Sequence, residues 1–243
     1  MISNRVEDIF SHAAALDQSG RCKNTIHCLA NTVFILNADH SMLLRFPLRK
    51  TEAPFTAPVS LRANDYDSRE FEEKGGNIVF TTRAGGFVWR KSCGTADLTA
   101  EATAALWRKF KPIHTNVLAL PAAVTTLLEE NLSHVEFSAT GGSIVIRQRN
   151  VYSGAMIELT AERAAGALDL GTAVTYSDFG PIGMRTNDLL ALFSFNDIVH
   201  LGFPTGAVEY IWAEGRDMKM PFHGPVGGCL YDELGTVTET KRG

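Results

Sequence analysis

The sequence predicts an α+β fold made of antiparallel sheets and four short helices. Three observations carry this. A short amphipathic helix followed by two strands and a tight turn recurs four times, at intervals of roughly 60 residues, the scale of a duplicated supersecondary unit. The stretches between helices are rich in β-formers and broken by Gly and Asn turns. The 243 residues suit one large domain or two of about 120, and the pattern divides them into 1–112 and 113–243, with a connector over about 94–116.

The first unit opens with a helix at Val6–Leu16. Val6, Ile9, Phe10, Ala13 and Leu16 share one face, Asn4 is placed to cap it and Gly20 to end it. Strands at Thr25–Leu29, Thr32–Leu36 and Met42–Leu48 follow, the last two across the turn Asn37–His40. The second unit has a weakly amphipathic helix at Tyr66–Lys74, then a hairpin from Asn77–Arg83 and Phe87–Cys93 around Ala84-Gly85-Gly86. Leu98–Phe110 is Ala-rich and stopped by Pro112, which predicts a connector helix.

The third unit starts with strand Asn116–Leu120 and a helix at Ala122–Leu132, with Pro121 in its first turn. Strands at Val135–Ala139, Ser143–Arg149 and Ala155–Leu159 come next. The fourth unit has strand Ala173–Ser177, a bend at Gly180–Gly183 and a helix at Arg185–Phe195. Strands Ile198–Phe203, Ala207–Ala213 and Met218–Phe222 close it, and a frayed tail is expected from about residue 224.

Bulk properties exclude several classes. The net charge of −4 supplies no global attraction to nucleic acid or anionic membranes. No apolar run reaches the roughly 18 residues of a membrane span, and the opening residues do not read as a signal peptide. An intracellular, cytoplasmic protein is expected. Cys22, Cys28, Cys93 and Cys229 match neither a zinc ribbon nor a redox pair. Cys22, His27 and Cys28 lack a fourth ligand, so neither metal nor cofactor is expected.

The third and fourth units together resemble the second domain of a sliding clamp of the proliferating-cell-nuclear-antigen type, the DNA polymerase processivity rings of eukaryotes, archaea and some phages. The similarity is carried by Asp197–Phe203, the Ala207-Val-Glu-Tyr-Ile211 strand, Met218–Pro225, and Thr175-Tyr176-Ser177 ahead of the fourth helix. In plan it extends over residues 1–223. The resemblance implies two similar clamp-like domains with sheets on the outside and two helices per domain on one face. It implies a homo-oligomeric ring, a trimer by preference and of possible phage origin, that threads double-stranded DNA and holds a polymerase near its template. A clamp loader is a further implied partner. No chemistry is catalysed.

Such a ring needs cations on its lining, because non-specific DNA contact is mostly phosphate neutralisation. The candidates are Arg5, Arg21, Lys23, Arg69, Lys74, Arg147, Arg149 and Arg185. They are few, and the helices that carry them are acidic. The partner site falls on connector residues Leu106, Trp107, Phe110 and Ile113 with Pro221 and Phe222, which present apolar and aromatic anchors. The same residues could equally pack the connector onto its own domain.

Two other readings stay open. An enzyme would assemble a site from scattered residues such as His27, His134, His200 and Cys93, but the sequence holds no GxSxG, HExxH or phosphate loop. A clamp-fold interaction or structural protein without DNA in its ring would fit the acidic helices.

Overall fold

The computed structural model describes residues 2–20, 23–74, 77–93, 98–128, 132–141, 143–149, 156–162, 177–205 and 210–227. In chain order its elements are α1 (Asn4–Gln18), β1 (Asn24–Leu29), β2 (Thr32–Asn37), β3 (Leu43–Pro47), β4 (Val59–Arg62), β5 (Glu70–Lys74), β6 (Asn77–Ala84), β7 (Phe87–Cys93), α2 (Ala100–Trp107), β8 (Val117–Pro121), β9 (His134–Thr140), β10 (Ser143–Arg149), β11 (Met156–Glu162), β12 (Phe179–Arg185), α3 (Thr186–Phe193), β13 (Ile198–Gly202), β14 (Ile211–Gly215) and β15 (Phe222–Val226). Short 3-10 segments lie at Lys50–Glu52, Ala63–Asp65 and Ala122–Leu127.

The class is α+β, and the described strand pairs are antiparallel. An eight-stranded sheet runs β4-β1-β2-β3-β15-β14-β13-β8, so it draws strands from both ends of the chain. A four-stranded sheet runs β11-β10-β9-β12 and a three-stranded one β5-β6-β7. Alternation in β2 shows how the large sheet is buried. Val33 and Ile35 join the main core with Val6, Ile9 and Phe10 of α1, while Phe34 and Leu36 face the other way, into a second cluster with Leu106 and Phe110. Each fully buried side chain of this size contributes about 1.5–3 kcal/mol, so both faces of β2 stabilise the fold.

The first helix forms as expected, with one change. Ser3 Oγ, not Asn4, accepts from Val6 N (3.4 Å), because the Asn4 side chain instead accepts from Arg69. The segment Tyr66–Lys74 is not a helix. A 3-10 turn precedes it and β5 occupies its second half. There Phe71 stands opposite Phe80 and the flanking glutamates face water. A period-two pattern beside a ready hairpin partner outcompetes a weak helical one. The helix expected at Ala122–Leu132 is a 3-10 segment that ends at Leu127, and residues 129–131 lie outside the described ones. Val124, Thr125 and Thr126 are β-branched, and the two hydroxyls bond back to Ala122 O (2.7 Å) and Ala123 O (2.8 Å).

The bend expected at Gly180–Gly183 is part of β12, whose register slips between Phe179 and Ile182. The strands expected at 173–176 and 207–209 lie outside the described residues. The closing strand comes later than expected. Met218 is 90% exposed, and β15 takes Phe222–Val226 into the middle of the large sheet. Gly224, expected to begin the tail, is a close-approach glycine: a Cβ there would stand 2.0 Å from Leu43 O.

Candidate nucleic-acid and partner interfaces

The candidate cations are dispersed, and those described are largely answered by carboxylates. Arg5 pairs with Glu52 at 3.1 Å and donates to Pro47 O at 2.7 Å. Arg69 Nε lies 2.8 Å from Glu7, without hydrogen-bond alignment. Arg147 Nε donates to Glu158 at 2.8 Å. Arg185 forms a fork onto Asp188 (2.9 and 3.1 Å) and also reaches Asp39. Lys23 and Lys74 are exposed, with no ion-pair partner among the described residues. Arg21 and the side chain of Arg149 lie outside them.

Helix surfaces add no positive charge. The exposed positions of α1 are Asn4, Asp8, Ser11, Ala15 and Gln18, and no residue of α3 is fully exposed.

Arg185 belongs instead to a cross-chain latch. Asp188 is fully buried and accepts from Asn37 Nδ2 (2.9 Å) and Ser41 Oγ (2.5 Å) as well as from Arg185. This ties the start of α3 to the β2–β3 turn. A buried carboxylate requires such a complete donor set.

The connector is seated on the outer face of the large sheet. Thr99 Oγ1 caps α2 by accepting from Ala102 N (3.2 Å). Leu106 and Phe110 are buried and pack with Phe34, Leu36, Leu43 and Trp212. Trp107 is half-buried, with ring centroids 5.5 Å from Trp212 and 5.3 Å from His223. The Tyr210 hydroxyl accepts from Lys111 N and donates to Lys111 O, both at 3.0 Å. Gly202 lets the chain lie flat, since a Cβ would meet Ile113 O at 2.1 Å. Of the expected partner residues, Trp107, Ile113 and Pro221 retain surface. Phe222 faces the main core, with ring centroids 5.8 Å from Phe46 and 6.0 Å from Phe195, so it presents no anchor to a partner.

The expected hairpin strand β7 was not among the expected interface residues. It is an edge strand whose residues Phe87–Ser92 are all exposed. Phe87 (66%) and Trp89 (53%) stack at 5.8 Å. Register places them on the same face as buried Phe80 and Cys93, so the core-side face of the hairpin overhangs the core. The signal was present as two aromatics at strand spacing after Gly85-Gly86. The four-stranded sheet has its edges at β11 and β12, and Met156 of β11 is 57% exposed.

The scattered His and Cys residues do not converge. Buried His27 holds Ser60 Oγ at 2.8 Å through Nδ1, and its Nε2 has no partner; desolvation pushes its pKa down to about 4. His134 is exposed beside Ser133. His200 and His223 flank Glu214 from neighbouring strands. Burial lowers the pKa of both, and arginine lowers it further: Arg216 acts on His200 and Arg45 on His223. Cys93 is buried and raised to about 11 by desolvation, away from nucleophile behaviour. The recess beside His200, lined by Ile113, Trp212 and Arg216, has about 10 Å³, room for one water. Among the described residues no three His, Cys, Asp or Glu gather as a metal site. No helix among them is long and apolar enough to cross a membrane.

No protein-family model matches the chain, and no curated protein matches it in sequence. Solved structures do match its shape. The PCNA2–PCNA3 complex of Sulfolobus tokodaii aligns with a TM-score of 0.55 at 9% identity, covering 90% of this chain and 96% of that one. Proliferating Cellular Nuclear Antigen of Entamoeba histolytica gives 0.51 at 10%, covering 88% and 93%. The DNA polymerase III beta chain of Streptococcus pneumoniae gives 0.59 at 11%, with 91% of this chain spanning 61% of that one. At these identities the likeness is one of fold, and the fold is that of the sliding clamps.

Proposed function

We propose that the chain is one protomer of a ring-forming sliding clamp that tethers a DNA polymerase to its template. The observation that carries this reading is the clamp fold over nine-tenths of the chain. Two of the sheet edges, β7 and β11, carry exposed large apolar side chains and support ring formation. If β7 of one copy pairs with β11 of the next, the overhanging Phe87 and Trp89 gain cover beside the apolar face of Ile157 and Leu159. Such a contact is head-to-tail and closes into a ring when the rotation allows. The two clamp-like units are 1–112 and 113–243, joined by the connector, and a trimer is the preferred ring for two units per chain. Polymerase and clamp loader dock at the connector through Trp107 and Ile113. The role is one of tethering and requires no catalytic group.

Light scattering across micromolar concentrations tests the ring. A stable mass near three protomers supports it, and a strict monomer at all concentrations removes it. Retention on closed-circular but not linear DNA then tests threading.

A second reading has its own observation. Arg5, Arg69, Arg147 and Arg185 are each held by a carboxylate, which favours a ring that does not grip DNA. A ring of the right mass with no topological retention on DNA would establish that reading over the first. If DNA is threaded, the contacts fall to Arg5, Arg21, Lys23, Arg69, Lys74, Arg147, Arg149 and Arg185. Pairing then predicts a shallow dependence of retention on salt.

A further inference from the structure

A single register row crosses the outer face of the large sheet. His27 of β1, Phe34 of β2, Arg45 of β3, His223 of β15, Glu214 of β14 and His200 of β13 stand directly opposite one another in turn. His27 points to this face because its neighbours Ile26 and Cys28 lie in the main core. α2 packs on β1 and β2, and His27 beneath it is fully buried. Its Nδ1 pairs with Ser60 Oγ at 2.8 Å, and its Nε2 has no partner among the described residues. Farther along the row, Trp107 of α2 meets His223 with ring centroids 5.3 Å apart. Ile113 and His114 of the connector share a recess with His200. Three imidazoles therefore lie under or against one strap of chain.

The charges facing these rings are unbalanced. His27 faces Ser60, Phe34 and the buried side of α2, where Ala100, Thr103 and Leu106 carry no charge. The one acid of α2, Glu101, is exposed, and so is Arg62, two residues past Ser60 on β4. His223 lies between Arg45 and Glu214. His200 lies beside Glu214, Arg216 and His114. Glu214 is the row's one carboxylate, and Trp212 Nε1 (3.0 Å) and Arg216 (3.3 Å) already engage it. Protonating the row would set three imidazolium ions beside Arg45 and Arg216 against that single acid. A buried cation without an acceptor is costly, and moving its cover away restores water to it. Burial lowers the pKa of all three histidines, His27 to about 4. Groups depressed in this way favour the closed, neutral seat, which is intact above about pH 6.5 and weakens as pH falls toward 4.

We propose that the connector is an acid-released strap: protonation of the histidine row beneath it lifts α2 off the sheet while the rest of the protomer stays folded. Local release is feasible because α2 is a single helix of 8 residues that packs into the smaller, second cluster and not into the main core. Its departure uncovers Phe34, Leu36 and Leu43, an apolar surface that is closed at neutral pH. The device belongs to the protomer and does not depend on ring formation.

Amide hydrogen exchange on the full chain tests this, with the intrinsic pH dependence of exchange divided out. Protection of the α2 amides should be lower than that of α1 at every pH, the mark of a local opening, and should fall about twentyfold or more between pH 7 and pH 5. His27→Gln should remove most of that fall. His200→Gln with His223→Gln, at half-buried positions that tolerate the change, should remove part of it and serves if the first variant does not fold. Equal protection in α2 and α1 would mean that acid opens only the whole fold, and would overturn the proposal. So would α2 protection that is unchanged between pH 7 and pH 5, or a fall that survives intact in the variants.

Discussion

β15 and β7 are short strands that both begin with phenylalanine, and they meet opposite fates. Phe222 of β15 is 1% exposed and Phe87 of β7 is 66% exposed. β15 lies between β3 and β14, with the main core on one face and connector aromatics on the other. Among the described residues β7 pairs with β6 on one side and with no strand on the other, and its core-side residues run past the end of the core. Burial in a strand is therefore set by what lies beside and beneath it. An uncovered aromatic pair on an edge offers unpaired backbone and apolar surface to a second chain.

Substitutions should break or sharpen this contrast. Phe222→Ala should cost about 4 kcal/mol, because it leaves a ring-sized cavity against Phe46 and Phe195; chemical denaturation measures it. Acidification should come next. His27 is held neutral by burial, with its pKa lowered to about 4. A depressed histidine prefers the neutral folded state, so stability is intact above about pH 6.5 and falls as pH drops toward 4, by about 3 kcal/mol in total. His27→Gln should flatten that slope in melts from pH 7 to 4.

Gly224→Ala should cost about 2 kcal/mol, because β15 must move off Leu43. Hydrogen exchange should show the loss concentrated at the β3–β15 seam. The smallest effect on stability belongs to β7. Phe87→Ala with Trp89→Ala should change protomer stability by less than about 0.5 kcal/mol, yet lower the solution mass by weakening assembly. An unchanged mass would exclude β7 from the ring contact.

Strongly periodic segments were legible in the sequence. The apolar stripe of α1, the β6–β7 hairpin and the Ala-rich α2 are local patterns, and each formed where its spacing placed it. The Tyr66–Lys74 segment was misread because Phe71 with flanking glutamates fits a weak helix and an edge strand equally well, until Phe80 supplies a partner. The Ala122 segment was misread because Pro121 promised a helix and Thr125 and Thr126 withdrew it. Arg185 could not be interpreted from sequence, since Asn37 and Ser41 share its acid from 151 and 147 positions before Asp188.

The sequence by itself determined the α+β class, the first helix, the β6–β7 hairpin and the aromatic connector, because these depend on residues within one or two turns or strands of each other. Only the tertiary structure decided which charges are free, which aromatics are covered and where the last strand inserts. Those outcomes depend on pairs far apart in sequence, such as Arg5 with Glu52, Asp188 with Asn37 and His223 with Arg45. Coulomb energy and burial are set by distance in space, and a linear chain does not carry that distance until it is folded.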